Sequence, residues 1–323
     1  MCRFERFLLV LVVFFWCGSP ALAGKVILKV FHAGSLAVPF AAIERAFEAR
    51  YPHIDVRRES SGSVKAIRKV VDLGKSCDVV ASADYSLIPA LMFPKYADHV
   101  YLFARNELVL CYTPRSRGAE EINAQNWFEI LARKGVRWGF SNPNLDPCGY
   151  RTLLMIALAE KFYGRPLWQE LLAPYLPFEY RKSEGRIFIK VPPRFSPRGQ
   201  KLYLRPKEVE LIGLLESGAL DYAVEYLSVA RQHGLHYVAL PPEINLGSFA
   251  HEALYRQVVV TLGTGRKITG KPIVYGIAAL KVAPHPEEAR LFETFVISPE
   301  GQKILEENHH LPFTPPKRID AGL

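Results

Sequence analysis

Three times along this chain an apolar strand stops at a run of small residues and an amphipathic helix begins, and that repeated junction constrains the fold more than any other feature. The first is Val30-Phe31-His32-Ala33-Gly34-Ser35-Leu36. The second runs from Ile54-Asp55-Val56 into Ser60-Ser61-Gly62-Ser63, and the third from Trp138-Gly139-Phe140 into Asp146-Pro147-Cys148-Gly149. Each has the makings of an anion cradle: a glycine that permits a tight turn, a polar side chain where a helix starts, and first-turn amides facing back into the loop. From Lys25 to Ser82 the order strand, helix, strand, helix, strand is the signature of an α/β sheet with parallel crossovers.

Lys25–Phe31, His53–Arg58 and Cys77–Ser82 read as strands, and Leu36, Phe40, Ile43 and Phe47 recur at helical spacing between the first two. Asn106–Tyr112 is a further β-prone run. Thr113-Pro114 and the polar stretch to Gly118 then break the pattern, which places a crossing into a second domain there. That domain is predicted to hold a helix over Gln125–Arg133, a strand over Val136–Phe140, a helix over Tyr150–Tyr163 with Leu154, Ala157 and Leu158 on one face, a helix opening at Pro206, and a strand over Leu220–Tyr226. Tyr237–Leu240, Val258–Leu262, Ile273–Leu280 and two C-terminal helices fall to the first domain. The expected division is a signal peptide at 1–23, domain I at 24–112 plus 228–323, and domain II at 113–227. A chain of 323 residues, 49% of them hydrophobic, is long enough for two cores.

The N-terminus supplies the address. Arg3 and Arg6 precede an unbroken apolar run from Phe7 to Cys17, and Ala21-Leu22-Ala23 forms a small-x-small cleavage site before Gly24. The run is short for a bilayer span, so cleavage is the reading and a retained anchor the alternative. Outside that segment Cys77, Cys111 and Cys148 are left, an odd number with no metal-binding spacing, and buried inert thiols are expected. The net charge of +9 becomes +8, 39 basic against 31 acidic residues, once Arg3, Arg6 and Glu5 are set aside. Arg181 to Lys207 carries the excess, with Glu184 its lone acid. Pro192-Pro193, Pro197 and Gly199 interrupt it, no helical basic stripe or aromatic series accompanies it, and the segment reads as a solvated loop rather than a nucleic-acid surface. Catalytic motifs are missing too: no G-x-S-x-G elbow, no H-E-x-x-H, and Pro272 stands where a phosphate loop needs Ser or Thr after Gly270-Lys271.

Further motifs carry a resemblance. They are His32-Ala33-Gly34-Ser35-Leu36, Ser61-Gly62-Ser63, Asn142-Pro143-Asn144 with Asp146-Pro147-Cys148-Gly149-Tyr150-Arg151, Arg205-Pro206-Lys207-Glu208, Glu225-Tyr226 with Ser228-Val229-Ala230, Lys271-Pro272-Ile273-Val274-Tyr275-Gly276-Ile277, and Ser298-Pro299-Glu300-Gly301-Gln302. In these the chain resembles the solute-binding proteins of tungstate/molybdate ABC transporters, in their archaeal-type branch. The resemblance implies a two-domain α/β periplasmic-binding-protein type II fold, each domain a mixed, mostly parallel sheet flanked by helices, with two hinge crossings and closure around the ligand. It implies a monomer outside the cytoplasm at the outer face of the membrane, with an ABC permease and its ATPase as partners and no cofactor beyond the tungstate or molybdate carried. By the same resemblance Gly34, Ser35, Ser63, the backbone of Pro147 and Cys148, and the Tyr226 hydroxyl hold the oxyanion, while Asp146 and Glu208 bind the metal, with Glu210 a rival to Glu208. Leu145 and Leu227 depart from the family pattern where acidic or charged residues are usual.

Two carboxylates near an anion make sense only if the central atom accepts extra oxygen ligands, as a large hexavalent metal does and sulfur or phosphorus does not. The plainer alternatives are that Ser35 and Ser63 cap helices, that Asp146 starts a turn and Glu208 sits on a helix dipole, and that Tyr226 is core with its hydroxyl bonded to backbone. His32 reads as structural and His309-His310 as a solvated helix end.

Overall fold

The computed structural model describes residues 24–322, so the signal peptide read in residues 1–23, with Cys2 and Cys17, lies outside the described residues. In chain order the strands are β1 (Val26–Ala33), β2 (Ile54–Ser61), β3 (Val79–Ser82), β4 (His99–Asn106), β5 (Leu108–Tyr112), β6 (Trp138–Ser141), β7 (Glu179–Ser183), β8 (Arg186–Lys190), β9 (Leu202–Arg205), β10 (Tyr222–Tyr226), β11 (His236–Ala239), β12 (Val258–Thr261), β13 (Lys267–Thr269), β14 (Ile273–Ala279) and β15 (Leu311–Asp320). They form three sheets, in the orders β15-β4-β14-β3-β1-β2, β11-β5-β10-β6-β9 and β13-β12-β8-β7. The crossover pairs expected from the sequence are parallel, β1 with β2 and β3, and β6 with β10; β9, not expected as a strand, adds a further parallel partner to β6. Antiparallel pairing is commoner than expected, because β14 runs against β3 and β4, and β5 runs against β10.

Sheet membership moves the crossings. The run Asn106–Tyr112 is two strands in two sheets with Glu107 alone between them, and the chain returns between β13 and β14, through Gly270-Lys271-Pro272. Strands β5, β11, β12 and β13, assigned above to domain I, therefore lie in sheets with strands of the other half. A single residue separates the two strands, so no break in the β-prone pattern marks the switch. Similarly, β8 pairs with β12 across seventy residues of chain, a partnership no local pattern announces.

The basic stretch is a loop only over residues 191–201, between strands at either end. Glu184 and Gly185, both at positive φ (53° and 72°), close a two-residue hairpin between β7 and β8, the left-handed geometry that suits the twist of antiparallel strands. Its charges are nonetheless solvated, since Arg181, Lys182, Arg186, Lys190, Arg194 and Arg198 are exposed.

One helix organises the second half. Pro147–Tyr163 has Pro at its first position and ends on Gly164 at φ 66°, the left-handed residue that frees a helix terminus. Apolar side chains ring it instead of lining one face, and Leu153, Leu154, Ile156 and Leu158 are all at most 2% exposed. It packs against β6 and β10 on one side and β12 on the other, so a helix apolar all round is what the position demands. Each such leucine contributes about 2 kcal/mol of burial. All three thiols are buried as expected, and burial raises their pKa, that of Cys77 to about 12.

Candidate functional site

The C-terminal ends of β1, β2 and β3 face those of β6, β9 and β10, the position where open α/β sheets place ligands. In β1 and β2 the register sets Ala33 beside Ser61, so Gly34-Ser35 and Gly62-Ser63 emerge side by side. Opposite them stand Asp146, Glu208 and Tyr226. Every residue proposed for the site is buried: Gly34, Ser35, Ser63, Asp146, Pro147, Cys148, Glu208 and Tyr226.

The halves are shut on one another. A Cβ at Gly34 would lie 2.8 and 2.9 Å from the Glu208 carboxylate oxygens, and one at Gly62 would lie 2.4 Å from the Leu145 carbonyl oxygen and 2.9 Å from the Asp146 Cβ. The acids of one half thus rest directly on the glycine loops of the other. Polar contacts stitch the same seam: Tyr150 Oη donates to Asp84 Oδ2 (2.7 Å), Arg151 Nη1 to the Ala83 carbonyl (2.8 Å), and the Lys65 amide to the Leu145 carbonyl (3.3 Å).

The hydroxyls are polarised as donors. Ser63 Oγ accepts from the Ala83 amide (2.9 Å) and Tyr226 Oη accepts from Arg151 Nη1 (2.7 Å). Ser35 Oγ lies 2.9 Å from Tyr275 Oη, which itself accepts from Asn106 Nδ2 (3.1 Å), so Tyr275 has its own proton to give to Ser35. A hydroxyl whose lone pair is taken by a protein donor offers its hydrogen elsewhere, and here that means into the cleft. These partners also replace the simpler expectations. Neither serine caps its helix: Gly34–Leu36 is a 3₁₀ turn before the helix Ala37–Arg50, and Gly62 holds the capping position before Ser63. Tyr226 bonds a side chain, not backbone.

The carboxylates are held differently. Asp146 occupies the N-cap of the long helix, yet its side chain caps nothing, and Oδ2 has no partner. Neither oxygen of Glu208 has one either. Burial pushes the pKa of both upward, and for Asp146 the neighbouring Glu208 charge adds to it. Glu208 is 1% exposed at the start of a 3₁₀ turn, Glu208–Leu211, that begins two residues after Pro206, whereas its rival Glu210 is exposed. Pro147 has no N–H to donate, so Cys148 carries the first amide that helix can offer.

Sequence reasoning passed over three residues here. Arg151 is a guanidinium 2% exposed, with Nη2 unpartnered. Glu225 is fully buried on β10 with both oxygens unpartnered, and burial followed by the Glu208 and Asp146 charges raises its pKa. Tyr275 orients Ser35. A lone charge ahead of an apolar run (Arg151) and a lone acid in an apolar strand (Glu225) were the available signals. His310, expected to be solvated, is 1% exposed and its pKa falls to about 4 through burial, while His309 is exposed. His32 is structural: Nδ1 pairs with the Ala33 carbonyl and the ring packs on Phe40.

Among the described residues no helix is long and apolar enough to cross a membrane. The sequence profile of the bacterial extracellular solute-binding proteins matches residues 28–310. A molybdate/tungstate-binding protein, WtpA, of Pyrococcus abyssi is 47% identical over 298 residues, covering 90% of this chain and 85% of its own length. Its namesake from Thermococcus kodakarensis is 44% identical, covering 90% and 83%. Among solved structures, the periplasmic molybdate-binding protein of Azotobacter vinelandii superposes with a TM-score of 0.61 at 17% identity, covering 88% of this chain and 98% of that one. The sulfate-binding protein SubI of Mycobacterium tuberculosis also gives 0.61, at 16% identity and coverages of 90% and 88%, so that likeness speaks for the fold and not for the ligand.

Proposed function

The chain belongs to the bacterial extracellular solute-binding protein family, and from that premise we propose that it captures tungstate or molybdate between its two halves and delivers it to an ABC permease driven by a cytoplasmic ATPase. The protein works outside the cytoplasm, its N-terminal segment 1–23 serving as a signal peptide and its two halves, hinged at Glu107 and at 270–272, opening and closing as a monomer. It performs no catalysis and needs no resident cofactor.

One observation carries the choice of ligand: two buried carboxyl groups with unpartnered oxygens, Asp146 and Glu208, stand in a cleft where Ser63 and Tyr226 each accept from a protein donor and keep their own hydrogens to give. Ser35, Ser63, Tyr226 and the Cys148 amide are donors for the oxygens of a divalent oxyanion. Donors alone would suit sulfate equally. Asp146 and Glu208 repel an anion unless they bond its central atom, and tungsten or molybdenum can expand from four oxygen ligands to six. Gly34 and Pro147 shape the wall. The test is calorimetric titration of the signal-free protein with tungstate, molybdate, sulfate and phosphate. Tight one-to-one binding of the first two and none of sulfate is expected; tight sulfate binding would mean the carboxyls do not meet the ligand.

A further inference from the structure

We propose that Arg151 is a positioning residue of this site, one that fixes the Tyr226 hydroxyl as a donor to the oxyanion and is itself held in line by closure of the cleft. The inference rests on the oxyanion reading above. Arg151 lies in the second turn of the long helix, 2% exposed, and both hydrogens of Nη1 are committed. One goes to the Ala83 carbonyl (2.8 Å), the other to Tyr226 Oη (2.7 Å). A guanidinium has no lone pair to offer in return, so the Tyr226 proton must turn away from Arg151. Tyr226 is fully buried, and its proton must be met inside the cleft.

Closure enters through Ala83. Tyr226 and Arg151 belong to β10 and the long helix of one half, whereas Ala83 follows β3 in the other. Opening the cleft removes the acceptor that holds Nη1 in line, and the guanidinium is then anchored by Tyr226 and by its place over the Tyr150 and Tyr226 rings, 5.9 and 5.8 Å from their centroids. Closure thus adds a second acceptor that keeps Nη1 aligned on Tyr226, which favours the ligand in the closed state over the open one.

A double-mutant cycle read by tungstate titration tests this, on Arg151→Met, Tyr226→Phe, the double variant and Arg151→Lys. Each of the first two should weaken binding roughly 10- to 100-fold, the range for a hydrogen bond to a charged group. The double variant should bind no worse than the weaker single one, and Arg151→Lys should recover part of the loss, because lysine still donates to the hydroxyl. Losses that multiply would make the two residues independent and overturn the proposal, as would wild-type affinity in Arg151→Met. So would a loss that lysine does not recover and that follows a fall in melting temperature, since that marks a purely structural arginine. If Arg151→Met does not fold, Arg151→Lys and Tyr226→Phe complete the cycle. Wild-type protein that binds neither tungstate nor molybdate would fell the oxyanion reading and this inference with it; wild-type binding with multiplying losses fells the inference alone.

Discussion

Gly62→Ala isolates closure from everything else the protein does. Gly62 has φ −58° and ψ 139°, an extended conformation that alanine adopts without strain, so the half that carries it is undisturbed. The added methyl would stand 2.4 Å from the Leu145 carbonyl oxygen of the opposite half, about 1 Å inside ordinary contact. The neighbour is backbone, and it also accepts the Lys65 amide at 3.3 Å, so it cannot withdraw without breaking that bond. Overpacking of this size costs about 1–3 kcal/mol, and because it arises only when the halves meet, the closed population falls by the corresponding roughly 5- to 150-fold. Apparent affinity scales with that population. Tungstate titration should therefore show the loss, while the melting temperature of the ligand-free protein should stay within a degree or so of wild type, as expected for a change that leaves each half's packing intact. Gly213→Ala is the control: it is exposed in the short helix Ile212–Glu216 with nothing near its Cβ, and should leave affinity alone. Wild-type affinity in Gly62→Ala would refute the claim that the bound form is the tightly shut one.

The other predictions are briefer. Asp146→Asn with Glu208→Gln should cut tungstate affinity sharply while leaving sulfate unbound or binding it better, measured by the same titration; unchanged tungstate affinity removes the two acids from the site. Their folded pKa is raised, so the unfolded chain releases these protons first and ligand-free stability falls as pH climbs past the ordinary carboxyl range; the double variant should flatten that slope in urea midpoints, leaving the share due to Glu225. His32 works in the opposite direction on the acid side. Burial lowers its pKa to about 4, the unfolded chain binds the proton first, and stability should drop by about 3 kcal/mol as pH falls from 6.5 to 4. His32→Gln should flatten that part of the curve, leaving the share due to His310; an unaltered slope would mean that His32 is hydrated in solution.

The glycine loops were legible because they are local: a strand end, a small residue and a helix start lie within seven positions, and each consequence follows from backbone geometry. Asp146 and Glu208 needed the resemblance, since a carboxyl at a helix start satisfies ordinary capping rules, and only the three-dimensional packing reveals that Asp146 caps nothing and that Glu208 lies over Gly34. The hinge was illegible for a different reason. Glu107 is the single residue between two strands, so the switch of sheet leaves no trace in propensity. Strands β7 and β8 were hidden by their charge, because Arg181, Lys182, Arg186 and Lys190 face solvent while Ile187 and Ile189 alone face inward, too short an alternation to outweigh the prolines that follow.

Charge decides how such a cleft can close. Asp146, Glu208 and Glu225 are buried within electrostatic reach of one another, and Arg151 is the guanidinium buried among them. Three ionised carboxylates against one cation would make closure prohibitive, and the raised pKa of all three acids expresses that cost. Without cargo, then, shutting the cleft shifts these acids toward their protonated forms. A metal oxyanion changes the account although it brings further negative charge, because a carboxylate bonded to the metal no longer faces its neighbour as a free anion, and the oxyanion's oxygens spread their charge over hydrogens already aimed at them. An ion that cannot accept those two extra bonds leaves the acids to repel it. On the proposed function, the same side chains that make empty closure costly would make closure on tungstate or molybdate selective.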